Sequence, residues 1–114
     1  NRGYDASAID FGEYDKEVVK AVLQQYPSIY DINDDQTVWF DKIKDLAEKL
    51  GYAREVKMYK KNPELYPGHC GDISTIIRIA LTNRRMTPNL YHICRLLGVE
   101  KMKARFDAIL DNLD

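Results

Sequence analysis

The sequence predicts an all-α fold, a small helical bundle. Apolar residues recur at helical spacing along most of the chain, capping residues and glycines bracket those stretches, and no run alternates apolar and polar residues as a strand does. Trp39, Ile43, Leu46, Ala47 and Leu50 fall at i, i+4, i+7, i+8 and i+11. With Asn33, Asp34 and Asp35 as N-cap candidates and Gly51 in the C′ position, they predict a helix from Asp35 to Leu50. Ile73, Ile76, Ile77, Ala80 and Leu81 repeat the pattern, with Asp72 after Gly71 as the expected N-cap. A third helix is expected to open with Thr87 as cap and Pro88 at the first helical position, to carry Leu90, Cys94 and Leu97 on one side with Arg95 facing away, and to end at Gly98. Met102, Phe106, Ile109, Leu110 and Leu113 form the stripe of a last helix.

The first third is less regular. Phe11, Tyr14, Val18 and Val22 predict a helix over about Glu13 to Gln25, which Tyr26-Pro27 should end, because the residue before a proline avoids the helical region. Between Gly51 and Gly71, "YAREVKMYKKNPELYPGHC" holds two prolines and no sustained apolar stripe, and reads as an irregular connection with room for one helical turn. A connection of that length inside a compact domain is often functional.

With 114 residues, 45% hydrophobic and 31% charged, the chain is sized for one compact domain with a modest core. No apolar run approaches the roughly 18 residues of a membrane span, and the N-terminal "NRGYDASAID" has no signal-peptide pattern, so a soluble protein with no membrane partner is expected. Two cysteines are too few for a disulfide scaffold, which fits a reducing, cytoplasmic setting. The chain begins at Asn1 without Met and is expected to be part of a longer protein. Its net charge of −1 hides a segregation: residues 1–48 carry 5 bases and 11 acids, residues 49–105 carry 12 bases and 4 acids, and the last nine residues carry three acids. If the fold gathers the middle segment onto one face, that face attracts a polyanion.

Candidate chemistry is sparse. His69, Cys70, His92 and Cys94 are the conceivable zinc ligands, but no C-x2-C knuckle is present, His69 and Cys70 are adjacent, and Cys94 lies on an apolar stripe, so no metal site is expected. The same adjacency argues against a cysteine nucleophile with its base. "DINDDQ" reads as helix capping and favourable dipole placement, and no Gly-rich phosphate loop follows a strand. No catalytic constellation is found.

Two basic features remain. "REVKMYKK", Arg54 to Lys61, interleaves Tyr59 with Lys57, Lys60 and Lys61, the mixture that single-stranded nucleic acid sites use for phosphates and stacking; a solvated loop is the plainer reading of this run alone. "RIALTNRRMTPNLYHICRLLG" places Arg78, Arg84, Arg85 and Arg95 in a stretch with no acid, next to the start of the following helix, where Asn89 and Leu90 offer backbone N–H groups. Basic side chains beside a helix N-terminus suit RNA phosphates or base edges, whereas an ordinary capped turn requires neither.

At these residues the chain resembles a known family. From Trp39 to Leu110, nearly two thirds of its length, it resembles the C-terminal anticodon-binding domain of bacterial glutamyl-tRNA synthetases, the class I glutamate–tRNA ligases. The resemblance lies in the order and spacing of "YKKNPELYPGHCGD", "RIALTNRRMTPNLY" and "LLGVEKMKARF". It implies an all-α anticodon-binding domain over residues 39–114, with residues 1–38 as a helical lead-in to the same unit, and a catalytic domain outside this chain. Arg78, Thr87, Pro88, Asn89, Leu90 and Tyr91 are the implied contacts to anticodon bases, and Lys57, Lys60, Lys61, Arg84 and Arg85 the expected contacts to the RNA backbone. The implied partner is the anticodon loop of glutamate tRNA, bound by a cytoplasmic monomer. The parent enzyme would use ATP and Mg to ligate glutamate to tRNA, while this chain needs no cofactor and catalyses nothing alone. "KMYKK" and "YHICRLLG" do not supply the family's nucleotide motifs. The chain departs from the family pattern at Asn83, where Gly is usual, and at Cys70, where the usual residue is aliphatic; Asn tolerates the left-handed backbone that Gly often supplies. The alternative to RNA binding is a helical protein-interaction module with a Leu/Tyr docking surface.

Overall fold

α4, Cys70–Thr82, lies at the centre of the molecule because its sequence is apolar on nearly every side: Ile73, Ile76, Ile77, Ile79, Ala80 and Leu81 are all buried. In the computed structural model, which describes residues 9–12, 14–84, 87 and 89–113, α4 packs against α1 (Lys16–Ile29), α2 (Gln36–Lys49) and α5 (Leu90–Leu113). A single turn and a half, α3 (Val56–Lys61), interrupts the long connection between α2 and α4. Residues 1–8 of the lead-in, Glu13, Arg85 and Pro88 lie outside the described residues. Among those described the architecture is all-α, with one isolated bridge between Ala53 and His69 and no strand.

α1 differs from the expectation that Tyr26-Pro27 ends it. It begins at Lys16 behind Asp15, whose carboxylate accepts the Glu17 N–H, and continues through Pro27 to Ile29. Proline removes a helical hydrogen bond, but Tyr26 and Pro27 are both buried. The Tyr26 hydroxyl accepts from Trp39 Nε1 at 2.8 Å and lies 3.4 Å from Cys94 Sγ, so burying this turn in register outweighs the local preference to stop.

α2 matches its stripe, with Asp35 accepting the Val38 N–H at 2.9 Å. For α4 the expected cap, Asp72, sits three residues inside. His69 is the N-cap: its Nδ1 accepts from the Gly71 N–H at 2.9 Å while Asp72 accepts from the His69 N–H at 2.9 Å. A capping box works from either end, and the acidic residue is its inner half. Asp72 also accepts from the Tyr14 hydroxyl at 2.9 Å, tying the segment before α1 to α4. A side chain at Gly68 would meet Asp72 and the Tyr52 ring within 3 Å, so only glycine lets the connection pass here.

The two last helices expected from sequence are grouped here as α5; the helical backbone is interrupted between them at Gly98, which takes φ 79° and ψ 161°, a region reserved for glycine. Leu90 and Cys94 before the interruption, and Met102, Phe106 and Ile109 after it, are buried. Arg105 reaches back to donate to the Leu81 carbonyl, placing positive charge at the C-terminal end of α4.

Candidate nucleic-acid interface

The seam between α4 and α5 is built from the way each helix ends. Asn83 closes α4 with φ 58° and ψ 31°, the left-handed conformation that asparagine tolerates, and its N–H bonds the Ile79 carbonyl at 2.7 Å. Thr82 bonds its hydroxyl to the Arg78 carbonyl at 2.7 Å and accepts the Arg84 N–H at 3.1 Å, so the chain turns away directly after the helix. Thr87 was expected to cap α5. Asn89 does so instead, its side chain accepting the Tyr91 N–H at 2.9 Å and its carbonyl the Ile93 N–H at 3.2 Å. An amide oxygen one residue from the first helical turn is an equal or better cap than a threonine further back.

That exchange leaves Thr87 for Arg78. The Arg78 Nε donates to Thr87 Oγ1 at 2.7 Å, which fixes the half-buried guanidinium at the seam. An open cleft of about 590 Å³ adjoins it. Arg78 and Ser74 of α4, Asn89 and Leu90 at the start of α5, and Trp39, Phe40, Asp41 and Lys44 of α2 all line this cleft. Lys44 Nζ lies 5.3 Å from the centroid of the Phe40 ring. The cleft therefore combines two cations, one carboxylate and exposed aromatic surface, a suitable mixture for a planar, electron-rich group next to a phosphate.

The expected contacts do not all share this place. Arg78, Asn89 and Leu90 line the cleft, with Leu90 buried and Asn89 exposed, and Thr87 holds Arg78. Tyr91 is turned inward: its ring meets Trp39 with centroids 5.5 Å apart, and its hydroxyl donates to the Asp34 carbonyl at 2.7 Å. Arg95 covers Tyr91, donating to its hydroxyl at 3.2 Å and to the Ile32 carbonyl at 2.7 Å. Arg84 is exposed beside the seam, while Arg85 and Pro88 lie outside the described residues. Lys57, Lys60 and Lys61 are exposed on α3, which meets the opposite end of α4 through Tyr59 and His69, ring centroids 5.6 Å apart. The 13 residues of α4 separate that end from the seam by roughly 20 Å.

Sequence reasoning missed Phe40, Lys44 and Ser74. An aromatic and a lysine at i and i+4 are neighbours on a helix surface, so Phe40 and Lys44 were a readable pair, but the cleft they line exists only once α2 lies along α4. The Ser74 hydroxyl oxygen is buried and has no hydrogen-bond partner among the described residues; nothing in sequence signals this.

The cysteines carry no chemistry at this site. Burial pushes the Cys94 thiol up to about 11, and burial likewise raises Cys70, so both remain protonated at neutral pH and pack as small apolar groups. Among the described residues no three His, Cys, Asp or Glu side chains gather closely enough to hold a metal ion, and none of the helices is long and apolar enough to cross a membrane.

Known proteins share this chain's sequence over most of its length. It is 49% identical over 96 residues to the glutamate–tRNA ligase of Acetivibrio thermocellus, a match covering 84% of this chain and 18% of that protein. Against the glutamate–tRNA ligase of Clostridium perfringens strain SM101 it is 42% identical over 82% of this chain and 17% of the ligase. For that of Sorangium cellulosum the figures are 38%, 94% and 19%. No family model and no solved structure matches the chain. The chain spans under one fifth of the length of these relatives. At such identity over more than four fifths of its own residues, it belongs to the glutamate–tRNA ligase family as the counterpart of one segment of those longer proteins.

Proposed function

We propose that this chain binds the anticodon loop of glutamate tRNA at the α4–α5 seam, and that the protein carrying it ligates glutamate to that tRNA with ATP. The observation that supports this most directly is the Arg78–Thr87 bond beside an open cleft. It holds a planar cation, with further donors that bond nothing among the described residues, where an unstacked base can lie, as single-stranded RNA loops require. Arg78, Thr87, Pro88, Asn89 and Leu90 contact bases, while Arg84, Arg85, Lys57, Lys60 and Lys61 neutralise phosphates on either side. Tyr91 acts from behind: by closing on Trp39 and Asp34 it sets the start of α5, and with it Asn89 and Leu90, against the cleft. In this reading ATP and Mg are used by other parts of the protein. The domain works as a monomer in the cytoplasm.

A docking surface for another protein is the second reading, favoured by Leu96, which is 86% exposed on α5. Binding of an anticodon stem-loop across salt concentrations separates the two. Expected is an affinity that falls steeply as salt rises, by about 0.7 logarithmic units per tenfold salt for each phosphate contact. Absence of stem-loop binding at low salt overturns the RNA reading.

A further inference from the structure

We propose that the cleft holds one unstacked RNA base against the Phe40 ring, with Lys44 on the adjoining phosphate. The inference rests on the RNA-binding reading above and adds to it a wall supplied by α2. Phe40 is half-buried, its ring packs 6.1 Å from that of Trp39, and both residues line the cleft. An aromatic ring beside an open cleft is a stacking platform, and every base has a face that suits one. Lys44, a compact charge on a flexible stem, lies over the ring; when a base takes that position, the ammonium turns to the phosphate of the same nucleotide. Arg78 lines the same cleft. Because stacking tolerates any base, Phe40 adds affinity, whereas discrimination among anticodons is left to the seam.

The test uses the chain with anticodon stem-loop RNAs in which each loop position in turn carries the fluorescent base 2-aminopurine. One position is expected to show strong quenching on binding, and Phe40→Leu to abolish that quenching and weaken binding to stem-loops of the glutamate anticodon and of a changed one alike, within a range of roughly 5- to 150-fold. Phe40→Tyr, which keeps the ring, is expected to retain both. A wild-type chain that binds RNA with no loop position quenched overturns the inference even if Phe40→Leu fails to fold, and leaves the RNA reading in place. Folded Phe40→Leu binding as tightly as wild type does the same. A wild-type chain that binds no stem-loop overturns the RNA reading itself, and the inference falls with it.

Discussion

Arg78 and Thr87, nine positions apart, are joined by a hydrogen bond of 2.7 Å from Nε to Oγ1 that bridges the end of α4 and the approach to α5. The bond uses one of the five guanidinium donors and orients the rest. Arg78→Ala is expected to weaken stem-loop binding by about 1–3 kcal/mol, the range for a lost base contact. Thr87→Val should weaken it less, and the double variant Arg78→Ala, Thr87→Val should bind little worse than Arg78→Ala alone, because the threonine acts partly through the arginine. Titrations on all four proteins check this. Strictly additive losses show that Thr87 and Arg78 act independently.

Trp39, Tyr26 and Cys94 form a second relationship, in the core. Tyr26→Phe removes the acceptor of a buried indole N–H, and a buried donor left unsatisfied costs about 1–3 kcal/mol. Urea unfolding followed by the fluorescence of Trp39, the only tryptophan, measures it. An unchanged midpoint shows that the Trp39–Tyr26 bond contributes no net stability.

Alkaline pH should expose the same cluster. Burial raises Cys94 from 9.0 to about 11, and burial raises Tyr26 as well, so the folded chain keeps both protonated while the unfolded chain releases their protons earlier. The stability this represents is fully present below about pH 9 and is lost as pH rises towards 11; for the thiol the loss by pH 11 amounts to about 2 kcal/mol. Melting temperature should therefore fall over that interval, and fall less steeply in Cys94→Ala. Parallel curves for the two proteins show that the thiol does not contribute.

Helices with long stripes were legible in the sequence because burial on one face imposes the 3.6-residue period: α2, α4 and both arms of α5 follow from Trp39, Ile73, Leu90 and Met102 onward. Their ends were less legible. Pro27 is carried through α1 by tertiary burial, and the capping roles of His69 and Asn89 depend on side-chain rotamers that several neighbouring residues could have supplied. Of the candidate site, Arg78, Asn89 and Leu90 do meet, since they flank one short turn. Ile79 illustrates the reverse case: it lies off the α4 stripe, and only the covering of α4 by three other helices explains its burial.

The two arginines after α4 provide the last prediction. Arg84 is exposed at the seam, where a side chain can meet a phosphate. Phosphate contacts position an RNA without reading it, so replacing Arg84 and Arg85 together by Gln should weaken all stem-loops similarly and reduce the salt slope by roughly one to two units, about 0.7 for each lost contact. Preference for the glutamate anticodon over a changed one should survive. Tyr91→Ala should behave in the opposite way once shown to be folded: the tyrosine holds the start of α5 through Trp39 and the Asp34 carbonyl, so its loss displaces Asn89 and Leu90 and erodes discrimination with little effect on the slope. Titrations of two stem-loops differing only in the anticodon, at several salt concentrations, measure both quantities together. A salt slope unchanged by the double Gln substitution identifies Arg84 and Arg85 as ordinary surface charge, whereas a lost preference among anticodons in that variant assigns them to the bases.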